Sequence, residues 1–337
     1  MRSIGLSLVL ASMVTAIACT SDRALAPSSG HTGQISDIPP ELFAAYTRVN
    51  LPGTGTVVAL NDSGDVVGAG ALGGILWHGA AHERITLPIG PAAIANDGTV
   101  AGVIDGHAAT WKNGRVTILD TAESVALAIC RCETATVVGS VKVNGVNHAA
   151  IWVDGIRIDA GLPPRSGFAE FSSIATGFVV GNALVRAFDP RNNDSTDFLE
   201  PYSWSPAGGW APFRLSNAAI AAIVSLNSHG MGVGPGFAFG RDSARAVLYD
   251  LSAGTGEDQF SSSPFYNNIR PTGINDSGLI SADADLLDTA NGPVTIALVN
   301  GLVLPPGVAY DRTAGINSAG IVGGESNRLP VIWIPNP

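Results

Sequence analysis

The stretch "ALNDSGDVVG" at 59–68 returns as "GINDSGLISA" at 273–282 and, altered, as "GINSAGIVGG" at 315–324. Each copy enters from a short run of small apolar residues and leaves into valine or isoleucine. Asn and Gly at its centre tolerate the left-handed backbone that a tight hairpin demands. The phrase is therefore a turn between two strands, and its recurrence points to a repeat architecture.

Working outward, the repeat is longer than the phrase. One unit runs "TVVALNDSGDVVGAGALGGILWHGAAHERITLP" (56–88), and the next, "AAIANDGTVAGVIDGHAATWKNGRVTIL" (92–119), matches it segment by segment. A third, "VALAICRCETATVVGSVKVNGVNHAAIWVDGIRI" (125–158), keeps every strand but loses the Asn turn. Further units centre on Val179 with Trp204, Asn227 with Tyr249, Asn275 with Val299, and Asn317 with Trp333. From Trp77 to Trp333 there are six steps averaging about 43 residues, the length of a propeller blade.

Each unit holds four short β-branched or alternating runs with turn chemistry between them, and none has a helical period. The first run is small, and the third ends on an aromatic ("ATW", "AIW", "VIW"). Strands near the axis of a radial array are crowded and need Ala and Gly, whereas Trp fits farther out between sheets. The expected fold is thus an all-β propeller of seven four-stranded blades, the count being good to within one. The last unit stops at "VIWIPNP" without a fourth strand, while "YTRVNLP" (46–52) precedes the first unit and matches its fourth strand, "HERITLP" (82–88). The N-terminal strand is expected to complete the last blade and lock the ring.

Composition agrees with a large core: 337 residues, 46% hydrophobic and 14% charged. A net charge of −10, spread thinly, excludes a nucleic-acid partner, which needs a basic face. Residues 1–18 read as a signal peptide, with Arg2 ahead of the apolar "IGLSLVLASMVTAIA". The segment at 19–40, rich in Ser, Thr, Gly and Pro, reads as a flexible tether, and the propeller is assigned to 41–337. No later segment is apolar for long enough to span a bilayer.

"TAIAC" resembles the lipobox of bacterial lipoprotein signals, with Ala16 where that family usually has Leu. The resemblance implies cleavage before Cys19 and lipidation of its thiol. An ordinary secretory cut at the A-x-A site, Ala16 to Ala18, is the alternative, and either one exports the chain. The phrases "ALNDSGDVVG", "IANDGTVAG" and "GINDSGLIS", followed by "HAAT" and "HAAI", resemble the bacterial HAF repeat of extracellular proteins. That family pairs a Gly-x-Asn-x-x-Gly turn with a His-Ala-Phe strand. Ala109 and Ala150 replace the Phe, units three and four lack the Asn turn, and unit six lacks the His and Trp. The resemblance spans about 56–337 and implies an exported repeat protein, without supplying catalytic residues.

Chemistry-bearing residues are sparse. Asn61, Asp62 and Asp65 are read as hairpin caps rather than calcium ligands, since a calcium loop needs many more oxygens. Asp283, Asp285 and Asp288 in "SADADLLD" form the better calcium candidate, against a solvated loop; no other cofactor is expected. His107 and His148 hold equivalent places in successive units, too far apart to share an ion, and read as structural. His78 and His82 lack the helix that an i, i+4 metal pair requires. Cys130 and Cys132 flank one residue in an exported chain, leaving a disulfide, free thiols and adventitious metal binding all open. No nucleophile elbow or phosphate loop stands out.

Function is argued from the links. Those between strands one and two, and three and four, are short and form one plain face. Those between strands two and three, and between units, emerge opposite and lengthen at 182–201, 235–245, 252–270 and 281–293. Variation on a rigid scaffold is where binding concentrates. The ligand-binding candidates are Arg186, Asp189, Arg191, Asp194, Arg241, Phe265 and Tyr266, with tolerated surface insertions as the plain alternative. The expected function is a lipid-anchored, monomeric binding or scaffolding module for a protein or glycan at the cell envelope, touching membrane only through its anchor. The second reading is a glycan lyase or hydrolase with its site at the channel mouth, and a third is purely structural.

Overall fold

The structure, a computed structural model, is described for residues 46–130, 135–189, 194–215, 220–237, 244–258, 266–286, 298–299, 302–303 and 312–336. Its strands form seven sheets whose inner strands neighbour one another in a closed ring. The fold is a β-propeller. Successive sheets span 56–87, 90–118, 124–161, 166–212, 220–258, 266–303 and 312–335, and are numbered here as blades one to seven.

Among the described residues, six of the seven are complete. Blades one to four are antiparallel meanders, and blade five is another with a split inner strand, Ile220–Ala221 and Ser225–Leu226. A two-residue strand, Arg214–Leu215, also lies parallel on the outer edge of blade five. In blade six, Tyr266–Ile274 and Ile280–Leu286 form a regular hairpin, but Leu302–Val303 joins the latter in parallel. The expected count of seven complete blades is thus corrected to six and a partial one. Blade six is also the unit that lacks the third-strand aromatic.

Closure follows the expectation. Strand Tyr46–Asn50 pairs antiparallel with Leu329–Pro335, the register running from Tyr46 opposite Pro335 to Asn50 opposite Val331. The Leu51 N–H extends the ladder to the Pro330 carbonyl at 2.9 Å. Leu51 is buried, and Val49 packs with it against the Trp77 and Ile332 cluster, so the first residues of the ring secure the last blade.

Between the blades lie the third-strand aromatics. Trp77, Trp152, Trp333 and Tyr249 are fully buried. Where such a ring is buried its polar atom needs a partner: Trp77 Nε1 donates to the Pro52 carbonyl at 2.9 Å and Tyr249 Oη to the Ala222 carbonyl at 2.9 Å. The second strands carry glycine at 68, 102, 139, 181, 234 and 324 because the inner strand bulges opposite, driving a carbonyl onto the Cα. Only Ala282, in partial blade six, carries a Cβ at this place.

One expectation about the links needs correcting. The stretch 182–201 is not a long loop but a continuation of the sheet: Phe178–Asp189 and Asp194–Ser205 pair over their whole length, from Val179 opposite Trp204 to Asp189 opposite Asp194. Alternating polar and apolar residues here, Leu184 opposite Leu199 and Arg186 opposite Asp197, carry a two-stranded arm past the body of blade four.

Candidate functional site at the channel mouth

The repeated Asn does more than make a turn. In blade one, Asn61 Oδ1 accepts the Asp65 N–H at 2.9 Å, closing the hairpin, while Nδ2 donates to the Ala95 carbonyl of blade two at 3.0 Å. The same pair of bonds recurs at Asn227, whose Nδ2 reaches the Asn275 carbonyl at 3.1 Å, and at Asn275, which reaches Asn317 at 3.0 Å. Asn317 then reaches the Asn61 carbonyl at 3.1 Å. The amides are buried, so each bond is made where water cannot replace it. Four blades are thereby stapled to their successors, across the seam where the ring closes.

A second, more exposed row runs beside the first. The residue after three of the four Asn donates its N–H to the side chain at the same place in the next blade: Ser228 to Asp276 at 2.8 Å, Ser318 to Asp62 at 2.8 Å, and Asp62 to Asn96 at 3.0 Å. Asn96 Nδ2 returns to Asp62 Oδ2 at 2.8 Å. Asp62 and Asp276 thus bridge blades instead of only capping their own turns.

These two rows surround the end of the central channel on the plain face. The channel opens there into a cavity of about 350 Å³ walled by all seven inner strands. Small residues such as Ala59, Ala93, Ala128 and Ala314 form much of the wall, joined by hydroxyls such as Ser225 and Thr272. Cys130 stands in the wall where blade three lacks the Asn, and it is disulfide-bonded, its partner lying outside the described residues.

Of the residues expected to bind ligand, Arg186 lies away from this cavity. Arg186 is exposed on the arm of blade four, opposite Asp197. Asp189 and Asp194 face each other at the arm's end, described in backbone only, as is Tyr266, the first residue of its strand. Arg191, Arg241 and Phe265 fall outside the described residues, as do Cys19 and Asp288. None of the described candidates lines the cavity. Of the acidic series, Asp283 Oδ1 accepts from the Thr313 N–H and from its hydroxyl at 3.0 Å, linking blade six to blade seven, and Asp285 sits in a strand opposite Asn267.

The histidines do local work. His107 Nδ1 lies 2.9 Å from the Ala122 carbonyl, His148 Nδ1 lies 3.2 Å from Asp159, and His78 Nδ1 lies 2.8 Å from Asp65. Burial pushes the His82 imidazole pKa down, with the nearby Asp65 charge opposing. Two carboxyls are raised. Burial raises Glu170, and burial raises Asp283 against the bonds from Thr313 and the charges of Arg312 and Arg270. They belong to blades four and six, and neither lines the cavity.

Sequence reasoning named the channel mouth only for its enzyme reading and did not place Asp62 and Asp276 there, because it read them as turn residues. The available signal was the residue after each buried Asn, which alternates Ser and Asp through blades five, six, seven and one.

No family model and no characterised protein matches the chain. Among solved structures, the β-propeller domain of the Trilobed protease from Pyrococcus furiosus, described as having an open velcro topology, is 12% identical with a TM-score of 0.53. The alignment covers 83% of this chain and 96% of that one. A chain of the Mitotic Checkpoint Complex gives 10% identity and a TM-score of 0.49, over 94% and 98% of the two chains. TolB from Acinetobacter baumannii gives 8% identity and 0.41, over 63% and 53%. At these identities the likeness is one of fold.

Proposed function

We propose that this protein is an exported, lipid-anchored binding module that holds a protein or glycan at the bacterial cell envelope. The observation that carries the reading is a rigid, closed ring whose channel ends in a cavity walled by main chain, small side chains and hydroxyls. Among the described residues, the ionisable side chains on that wall, Asp62 and Asp276, already accept hydrogen bonds from neighbouring blades. Preformed concave sites of this size suit recognition of a small group.

The lipobox resemblance and the HAF-like repeats support export. The first described residue, Tyr46, lies on the outer edge of blade seven beside the turn at Gly320, and therefore on the plain face. The segment from Cys19 could extend up to about 90 Å, enough to hold the ring clear of a bilayer.

A glycan array and crosslinking to envelope proteins, read with the soluble body from Glu41, test the proposal. A companion variant carries Arg186→Ala, Asp189→Ala, Arg241→Ala and Tyr266→Ala. A ligand captured by the folded body is the expected result, and its loss in the variant would assign it to the long-link face. Retention in the variant would move it to the cavity. A folded body that captures neither glycan nor protein overturns the reading.

A further inference from the structure

Blade two breaks a pattern that its neighbours keep. Immediately before the third-strand Trp, blades one, three and seven set one aliphatic residue opposite another on the outer strand: Leu76 with Ile85, Ile151 with Ile158, and Ile332 with Val49. Each pair packs into a core cluster with aromatic residues of the following blade. In blade two the pair is Thr110 opposite Thr117, and an open pocket of about 470 Å³ lies over it. Among the described pairs at this register, no other blade has a hydroxyl on both strands. Ala109 and Trp111 pack toward blade one, so Thr110 and Lys112 turn to the opposite side of the sheet, which faces blade three. Thr99, Lys112, Asn113 and Arg115 complete the lining, beside the plain-face turn at Asn113 and Gly114.

The charges there are also unusual. Lys112 stands directly opposite Arg115 across the hairpin, where blade one sets His78 opposite Glu83. Like charges at such a place destabilise a sheet. Only one of the two is compensated: Lys112 Nζ donates to Asp97 Oδ2, and Asp97 Oδ1 also accepts the Thr99 N–H at 2.9 Å. Among the described residues, the Arg115 guanidinium has no ion pair or hydrogen bond, and the side chains of Thr110, Asn113 and Thr117 make none either.

Facing cations and a hydroxyl floor, where neighbouring blades pack aliphatic residues, are local inconsistencies of the kind that functional sites carry. Arg presents a planar fork that grips an oxyanion through two parallel N–H bonds. The Lys112 ammonium has three donors, of which Asp97 takes one. None of the described lining residues is aromatic or aliphatic, and a peptide ligand would need such an anchor. A sugar instead offers hydroxyls that pair with Thr110, Asn113 and Thr117.

We propose that this pocket binds an oxyanion borne on a glycan, a uronate carboxylate or a sulfate ester, held by Arg115 and Lys112. It shares no described residue with the channel cavity and so goes beyond the site that carries the binding-module reading.

Titration calorimetry on the full chain in detergent tests it. The probes are an oligogalacturonate and a sulfated galactan oligosaccharide, with maltohexaose as the uncharged control and inorganic sulfate as the free ion. At least one acidic oligosaccharide should bind, about tenfold or more weaker in R115Q and in T110V/T117V. Arg115→Gln breaks no bond among the described residues, and the two valines restore the kind of pair that the neighbouring blades carry. Should the double variant fail to fold, R115Q alone decides. Binding of the galacturonate identifies a carboxylate, and binding of the galactan a sulfate. The proposal falls if neither acidic oligosaccharide binds, if maltohexaose or inorganic sulfate binds equally well, or if folded R115Q loses no affinity. An envelope ligand captured equally by wild type and R115Q, with no acidic oligosaccharide bound, would sink this site and leave the binding-module reading standing.

Discussion

Asn317 shows how much one residue can be asked to do. Its Oδ1 accepts the Ile321 N–H at 2.9 Å and its Nδ2 supplies the Asn61 carbonyl across the seam. Asn317→Ala leaves the Ile321 N–H without this acceptor and the Asn61 carbonyl with only the Gly64 N–H at 3.3 Å, a loss of about 1–3 kcal/mol. We expect a clear fall in the denaturant midpoint with the slope unchanged. Glycine in the second strands is equally constrained. An added Cβ at Gly139 would sit inside the Val125 carbonyl oxygen, so Gly139→Ala should destabilise by about 2–4 kcal/mol in the same measurement. Glu170 makes the opposite prediction. Its pKa is raised by burial, so the folded state pays for the charge above that pKa and is relieved as pH falls toward the unfolded value near 4.5. Glu170→Gln should therefore be more stable than wild type at neutral pH, with the advantage shrinking on acidification. A melting temperature series across pH checks the sign.

At the scale of the strand, the N-terminal segment contributes more than its five residues suggest. A chain beginning at Gly53 loses Val49 and Leu51 from the core, at about 1.5–3 kcal/mol each, and exposes the edge of Leu329–Pro335. Against a total of about 5–15 kcal/mol, it should melt far below the intact protein, or not fold at all. An unchanged melting temperature would dissolve the closure argument. This strand was legible in the sequence because "YTRVNLP" shares its pattern with "HERITLP" and because the last unit lacks a partner. The arm at 178–205 was not legible as a sheet. Pro201 signals a break, yet cross-strand pairing between Leu184 and Leu199 keeps both strands extended. Local turn chemistry lost to tertiary pairing.

Over the whole ring, two devices guard one seam: the strand Tyr46–Asn50 in blade seven, and the bonds from Asn317 and Ser318 to Asn61 and Asp62. Their removal should be coupled. In a double-mutant cycle, Asn317→Ala combined with deletion through Pro52 should depart from the sum of the single effects by more than about 0.5 kcal/mol. Additivity would show that the seam is not a shared unit. The propeller itself was readable from period and turn phrase. The mouth was not, because Asp62 and Asp276 look alike as caps in a linear chain, and only the ring brings them to either side of Ser318.

The Asn staples all point one way: from 227 to 275, to 317, to 61 and on to 95. For a chain synthesised N-terminus first, Asn61, Asn227 and Asn275 must each wait for an acceptor that has not yet emerged. Asn317 alone finds its acceptor already made, waiting since the first blade appeared, and the strand at Tyr46 likewise idles until Trp333 arrives. Ring formation in such a chain is a single terminal act, in which the oldest and youngest segments meet and end a long interval of exposed edge.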